Sequence, residues 1–358
     1  MDVSPARAAR YGRALVRWAR LLPPIPRRSG VRVFYGHDRI PSPGDPAAGG
    51  TAKLQKLAER FPNRPHDFNL LYLGNTYLPR DLRPLLWIVR RRQIPFVVNQ
   101  NGVGYPGWAG ERTDEVNRPL RRALLAADHV VYQSAFSKRS SDAFLGDPRG
   151  SWEILHNVVD TQLFTPADRP PDGGPILLLG GDQTQVYRLE VALETLADVA
   201  STHPEAELLV AGRIVSDPRP TLERLGIEDR VSFLGRYTQR GAPDIYRRAH
   251  VLLHTKVNDP CPTVVVEAMA SGVPVVYPAS GGTVELVGGE AGVGVAHPDG
   301  FERDEPPASE ALAAAVREVC AGLEVFSAAA RRRAVDHFDL RPWLERHEAL
   351  FKRLLGLP

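Results

Sequence analysis

Cysteine is nearly absent: Cys261 and Cys320 are the only two among 358 residues. They are too few for a disulfide framework and offer no paired metal-ligand spacing, a usage that fits a reducing cytoplasm. No apolar run approaches the roughly 18 to 20 residues that a membrane-spanning helix needs. The N-terminus lacks an apolar signal core followed by a small-residue cleavage site. A soluble or peripheral protein is therefore expected, cytoplasmic or at the inner face of the membrane. Excess charge is also missing, with 45 basic residues against 42 acidic ones for a net +3, so nucleic acid is not the default partner. There is no Asp-x-Asp pair to suggest a dedicated Mg²⁺ site, and no short internal repeat to suggest a solenoid. What is present is a 43% hydrophobic content, enough for the two packed domains that this length allows.

Residues 1–29 carry seven arginines and one acid, Asp2, while Tyr11, Leu15, Trp18 and Leu22 recur at helical spacing. This basic amphipathic arm either lies on anionic lipid or packs its apolar stripe on the first domain. Pro23, Pro24 and Pro26 end it.

Beyond the arm, short β-branched runs alternate with helical stretches, the pattern of parallel βαβ units. Strands are expected at 31–35, 69–73, 96–99, 129–133 and 153–155, with helices near 51–60, 81–92, 115–127 and 136–145. The Pro-, Gly- and Asp-rich run 165–175 reads as an interdomain linker. The alternation then restarts, with strands at 176–179, 207–210, 231–234, 251–254, 273–277 and 292–296. Helices are expected over 185–200, 243–249, 263–271, 308–322, 324–337 and 341–355. The fold class is α/β: two doubly wound, Rossmann-like parallel sheets facing across a cleft that holds any ligand.

The most informative stretch runs from His254 to Tyr277. A buried strand ends near His254, a Pro-bounded turn holds Asp259, and a helix begins near Thr263 with Glu267 in its first turns. Free amides near Thr263 and Val264 suit a phosphate, and a carboxylate such as Glu267 suits the paired hydroxyls of a ribose. Taken alone, Asp259 reads equally as a turn cap and Glu267 as an ordinary helix carboxylate.

The segment resembles the donor-binding signature of the retaining glycosyltransferases of family 4, which have the GT-B fold. There two acids separated by seven residues precede an Ala-rich helix and a Gly-x-Pro strand, here Asp259 to Glu267 and then Glu267-Ala-Met-Ala-Ser-Gly-Val-Pro274. The likeness continues in Val231-Ser-Phe-Leu-Gly235, in Gly281-Gly-Thr-Val-Glu285, in Ala127-Asp-His-Val-Val-Tyr-Gln-Ser134 and in His156-Asn-Val-Val-Asp160. It closes with Ala330-Arg-Arg-Arg-Ala-Val-Asp-His-Phe338 followed by a Trp343-containing helix. The resemblance implies an N-terminal acceptor-side domain over 30–165 and a nucleotide-sugar-binding domain over 166–338, with a helix over 339–358 crossing back. It implies that Glu267 binds the ribose, that Asp259 grips the donor sugar, that amides near Thr263 and Val264 hold the pyrophosphate, and that Arg236 and Tyr237 lie beside the base. Gly281 and Gly282 would join the donor site. The donor would be a nucleotide diphosphate sugar as co-substrate, with no other cofactor and no metal. The acceptor would be a glycan, a lipid-linked group or a small molecule.

Two first-domain segments are further candidates. Pro46-Ala-Ala-Gly-Gly-Thr51 lets backbone approach a ligand at Gly49 and Gly50, with Lys53 nearby, or is a plain strand-to-helix loop. Asn99-Gln-Asn-Gly-Val-Gly-Tyr-Pro-Gly-Trp108 offers Asn99 to sugar hydroxyls and Tyr105 or Trp108 to a pyranose face, unless its aromatics pack inward.

The family pattern is broken in three places. The Arg and Lys that usually clasp the pyrophosphate are replaced by Gly181 and Tyr187, which leaves Arg188, Arg213 or Lys256 to supply the charge. Asn101 stands where the family often has His, and an amide cannot be a general base. Asp259 replaces the usual first Glu, a shorter arm. The resulting expectation is a retaining, metal-independent glycosyltransferase. An epimerase or phosphorylase on a similar frame, or a non-catalytic carbohydrate-binding protein, are the alternatives.

Overall fold

The computed structural model describes Gly12 and residues 30–358, apart from 43, 46–48 and 170. The expectation that residues 1–29 form an amphipathic arm lies outside the described residues. Two parallel sheets organise the rest. The first contains β1 (Val33–Phe34), β2 (Leu70–Gly74), β3 (Phe96–Gln100), β4 (His129–Tyr132) and β5 (Ser151–Ile154), in that spatial order. Alternate side chains of these strands feed two cores, one on each face. Leu71, Leu73, Phe96, Val98 and Val130 enter one core, and Leu70, Tyr72, Val97 and Val131 the other, as the period-2 geometry of a doubly covered sheet requires.

The second sheet contains β6 (Ile176–Gly180), β7 (Glu207–Ala211), β8 (Val231–Gly235), β9 (Val251–Leu253), β10 (Val275–Pro278) and β11 (Gly292–Val295), ordered β11-β10-β9-β6-β7-β8. The order reverses between β6 and β9. The crevice beyond their carboxyl ends is therefore the topological switch point where such sheets bind ligands.

The chain crosses between the sheets twice, and the crossings touch. Val159 N–H donates to the Phe338 carbonyl at 2.9 Å and Leu340 N–H to the Val159 carbonyl at 3.0 Å. Asp339 caps the final helix, Leu340–Leu355, by accepting from Arg341 N–H. That helix buries Trp343, Leu350 and Phe351 against Tyr35, Leu54, Leu57 and Tyr72 of the first domain. Fully burying such side chains stabilises by roughly 1.5 to 3 kcal/mol each.

Several boundaries differ from the sequence reading. β1 is two residues long rather than five, and the helix expected near 51–60 starts at Gly49. Short helices at Arg219–Leu225 and Thr283–Val287 were not expected, because five to seven residues are too few to establish an apolar period.

Candidate active site

Beyond β9 the chain runs through His254, Thr255 and Lys256 into a tight turn. Asn258 adopts a left-handed backbone there (φ 52°), which its short polar side chain tolerates. Pro260 and Pro262 then deliver the helix Thr263–Ala270. The turn rests on two glycines that the sequence reading assigned to the donor. A Cβ at Gly281 would stand 2.6 Å from the Asp259 carbonyl oxygen, and Gly282 N–H donates to that carbonyl at 2.8 Å. Gly281 and Gly282 therefore form the floor of the Asp259 turn.

Asp259 is surrounded by basic side chains. Lys256 Nζ lies 3.1 Å and His254 Nε2 3.6 Å from its Oδ2, and Arg188 is buried close by, with Nη1 donating to the Asp182 carbonyl at 2.9 Å. Burial alone would raise the Asp259 pKa, but Lys256, His254 and Arg188 outweigh it and hold the carboxyl below its ordinary value. Burial pushes His254 down to about 3, so the ring is neutral beside that carboxylate. The sequence reading used His254 only as a strand end. Its position where a buried strand meets the turn was the available signal.

Of the three cations proposed to replace the missing pair, Arg188 and Lys256 stand at Asp259. Arg213 does not: its side chain is exposed and faces Asp182. Lys256, with 30% of its side chain exposed, is the one able to turn toward a phosphate.

Glu267 is buried one helical turn further on and accepts from Tyr246 Oη at 2.9 Å and Gln239 Nε2 at 3.0 Å. Burial raises its pKa against the pull of Lys56, Tyr246 and Gln239. Tyr237 is raised too, first by burial and then by Glu267, and Arg236 is exposed beside it. The turn after β6 closes on the same helix start. Gly181 takes φ 82°, and a Cβ there would meet Val264 Cγ1 at 3.4 Å.

The first domain supplies the opposite wall. Asn75, Thr76, Asn101, Tyr105 and Trp108 line a cavity of about 390 Å³ together with Gln185, Lys256 and Asn258 of the second domain. The Asn101, Gln185 and Asn258 side-chain oxygens have no hydrogen-bond donor. Trp108 is 48% exposed. Tyr105 is instead buried, donating to Asp304 Oδ1 at 3.0 Å and packing on Phe301 at 5.5 Å, so of the two aromatics offered for a sugar face Trp108 is the exposed one.

Asn99 also departs from expectation. Its side chain accepts from Lys53 at 2.9 Å, donates to Tyr72 Oη at 3.0 Å and accepts from Gln133 at 2.5 Å, all inside the domain. Gly49 and Gly50 open their helix, and a Cβ at Gly50 would meet Thr76 Oγ1 at 2.8 Å. The space above Gly50 thus belongs to Thr76. Glu285 was noted only as part of a turn. It reaches the first domain, where it accepts from Ala135 N–H at 2.8 Å and Phe136 N–H at 2.9 Å at a helix start.

Residues 174–321 match the family model described as Glycosyl transferases group 1. D-inositol 3-phosphate glycosyltransferase of Geodermatophilus obscurus is 31% identical over 248 residues, covering 63% of this chain and 53% of that protein. Mannosylfructose-phosphate synthase of Agrobacterium fabrum is 29% identical over 126 residues, covering 32% of this chain and 28% of that protein. The chain thus spans about half or less of the length of these curated relatives. Among solved structures, sucrose-phosphate synthase from Thermosynechococcus elongatus superposes with a TM-score of 0.65 at 20% identity, covering 81% of this chain and 75% of that one. Anabaena HepE in complex with UDP-glucose superposes with a TM-score of 0.64 at 20% identity, covering 86% and 82%.

Proposed function

We propose, from the GT-B fold of the chain and the match of residues 174–321 to the glycosyl transferases group 1 model, a retaining, metal-independent sugar transfer. The donor is a nucleoside diphosphate sugar and the acceptor an uncharged, hydroxyl-rich molecule. The observation that carries the reading is the convergence on one helix start of the Gly181 turn, of Asp259 kept ionised among cations, and of the buried Glu267.

The amides at Thr263 and Val264 and the cations Lys256 and Arg188 stabilise the diphosphate as its oxygen leaves the anomeric carbon. Glu267 exchanges the Gln239 hydrogen bond for a ribose diol. The acceptor oxygen bonds to the anomeric carbon on the face being vacated, and its proton passes to the departing phosphate, so Asn101 has no need to be a base. Asp259 orients the donor sugar hydroxyls.

The acceptor class follows from the cavity wall. Among the described residues its only charged lining residue is Lys256, which this reading assigns to the donor diphosphate. Amide oxygens and the Trp108 face suit hydroxyl donors and a sugar ring, whereas a phosphate would find no free cation there. This separates the chain from the relative named for inositol 3-phosphate. No helix among the described residues is long and apolar enough to cross a membrane. The reaction belongs in the cytoplasm, with residues 1–29 as a peripheral contact to the inner membrane face.

The reading is tested by calorimetry with UDP-glucose and other nucleotide sugars. Glu267→Gln is expected to weaken donor binding at least tenfold, and an unchanged affinity rejects the donor site. Nucleotide release with methyl glucoside against glucose 6-phosphate then tests the acceptor. Faster transfer to the phosphorylated sugar rejects the acceptor class while leaving the donor site standing.

A further inference from the structure

The proposed cleft opens at the carboxyl ends of the first sheet, and the amino ends of β3, β4 and β5 border a second concavity of about 870 Å³. One wall is the helix Leu82–Arg91. It buries Leu82, Leu85, Ile88 and Val89 and exposes Arg83, Trp87 and Arg90, which fall at i, i+4 and i+7 on a single stripe. Arg122, near the end of the helix Thr113–Ala126, and Arg149, just before β5, form the rest of the basic lining. Trp87 is 55% exposed.

Arginines often only compensate helix carboxyl ends, each of which carries about half a negative charge. Two such ends border this groove, and Asp128, whose carboxylate accepts from Phe96 N–H at 2.8 Å, adds one more charge. Arg83, Arg90 and Arg149 exceed that total without Arg122. Arg83 stands in the first turn of its helix, where the dipole disfavours a cation, so compensation does not account for it. The strands of the first sheet are all parallel. Residues 1–29, with seven arginines, therefore join the fold at this same end. Their charge makes them a poor occupant of an arginine groove.

We propose that this groove docks the protein on a membrane face rich in anionic phospholipid, with the arginines at lipid phosphates and Trp87 at the level of the headgroups. The test is co-sedimentation of the full chain with phosphatidylcholine vesicles made with and without phosphatidylglycerol. Binding is expected only with the anionic lipid and is expected to fall as salt rises. Arg83→Gln, Arg90→Gln and Arg149→Gln together should lower it more than tenfold, at about fivefold per arginine. Trp87→Ser alone should lower it at high salt, and Arg248→Gln, on the second domain, should leave it unchanged. Thermal unfolding and UDP-glucose binding of the variants confirm that the fold is intact. Equal binding to neutral vesicles, a triple variant that binds like the native chain, or tighter arginine-dependent capture of RNA than of vesicles would each overturn the proposal.

Discussion

Lys53 is buried in the first domain with Asn99 as its acceptor, and among the described residues no carboxylate pairs with it. Burial lowers its pKa from 10.5 to about 7, against a weak opposing pull from Cys261. Below pH 7 the folded protein must hold a desolvated cation that the unfolded chain keeps hydrated. Between about 7 and 10.5 the folded amine is neutral while the unfolded one is still charged, so stability rises with pH across that window. The penalty at low pH is on the order of 5 kcal/mol. Lys53→Met should therefore raise Tm at pH 6, and the gain should shrink as pH approaches 10. A Tm difference that is flat from pH 6 to 10 would show that Lys53 is not held this way. A stabilised variant that lost transfer would mark Lys53 as a residue kept for function at a cost in stability.

At the level of elements, the Asp259 turn depends on what lies beneath it. A Cβ at Gly282 would stand 1.9 Å from the Pro260 carbonyl oxygen, whereas one at Gly289 meets nothing within 4 Å. Gly282→Ala should cost about 3 kcal/mol, lower Tm by several degrees and weaken donor binding as the turn shifts. Gly289→Ala should change neither, and thermal unfolding with calorimetry compares the two. The strand, turn and helix that carry Asp259 and Glu267 were legible in the sequence because proline and glycine punctuate them and a buried apolar run precedes them. The partners that close on Glu267 were not legible. Tyr246 and Gln239 arrive from a different segment, and only the packing of that segment against the Thr263 helix brings their donors within 3.0 Å. The internal network of Asn99 was not legible for a similar reason. An amide at the end of a strand suits a sugar or an internal network equally, and the choice was made by Lys53, Tyr72 and Gln133 from three other elements.

At the scale of the whole molecule, the two domains meet through a few polar contacts as well as through the paired crossings at Val159 and Asp339. Glu285, from the second domain, caps the first-domain helix Ala135–Phe144, with His156 Nε2 3.3 Å from its carboxylate. Burial would raise its pKa, but His156 and the two amides outweigh burial and hold it below 4.5. A carboxyl lowered in this way contributes stability that is complete above its unfolded pKa and is lost as pH falls through the folded value. The Glu285 contribution to the clasp should therefore be intact at pH 7 and be lost only in acid, as pH falls through that lowered value. Glu285→Gln keeps the shape but removes the charge from two amide hydrogen bonds, worth about 2 kcal/mol together. Its domains should separate more readily, with a larger radius of gyration by small-angle scattering at pH 7 and a raised KM for the acceptor, whose cavity is built from both domains. Donor affinity should be unchanged, because the donor groups all lie in the second domain. A variant with native dimensions at pH 7, or one whose scattering still steps in acid as the native chain's does, would place the hinge control elsewhere, in the aromatic contact of Tyr105 with Phe301.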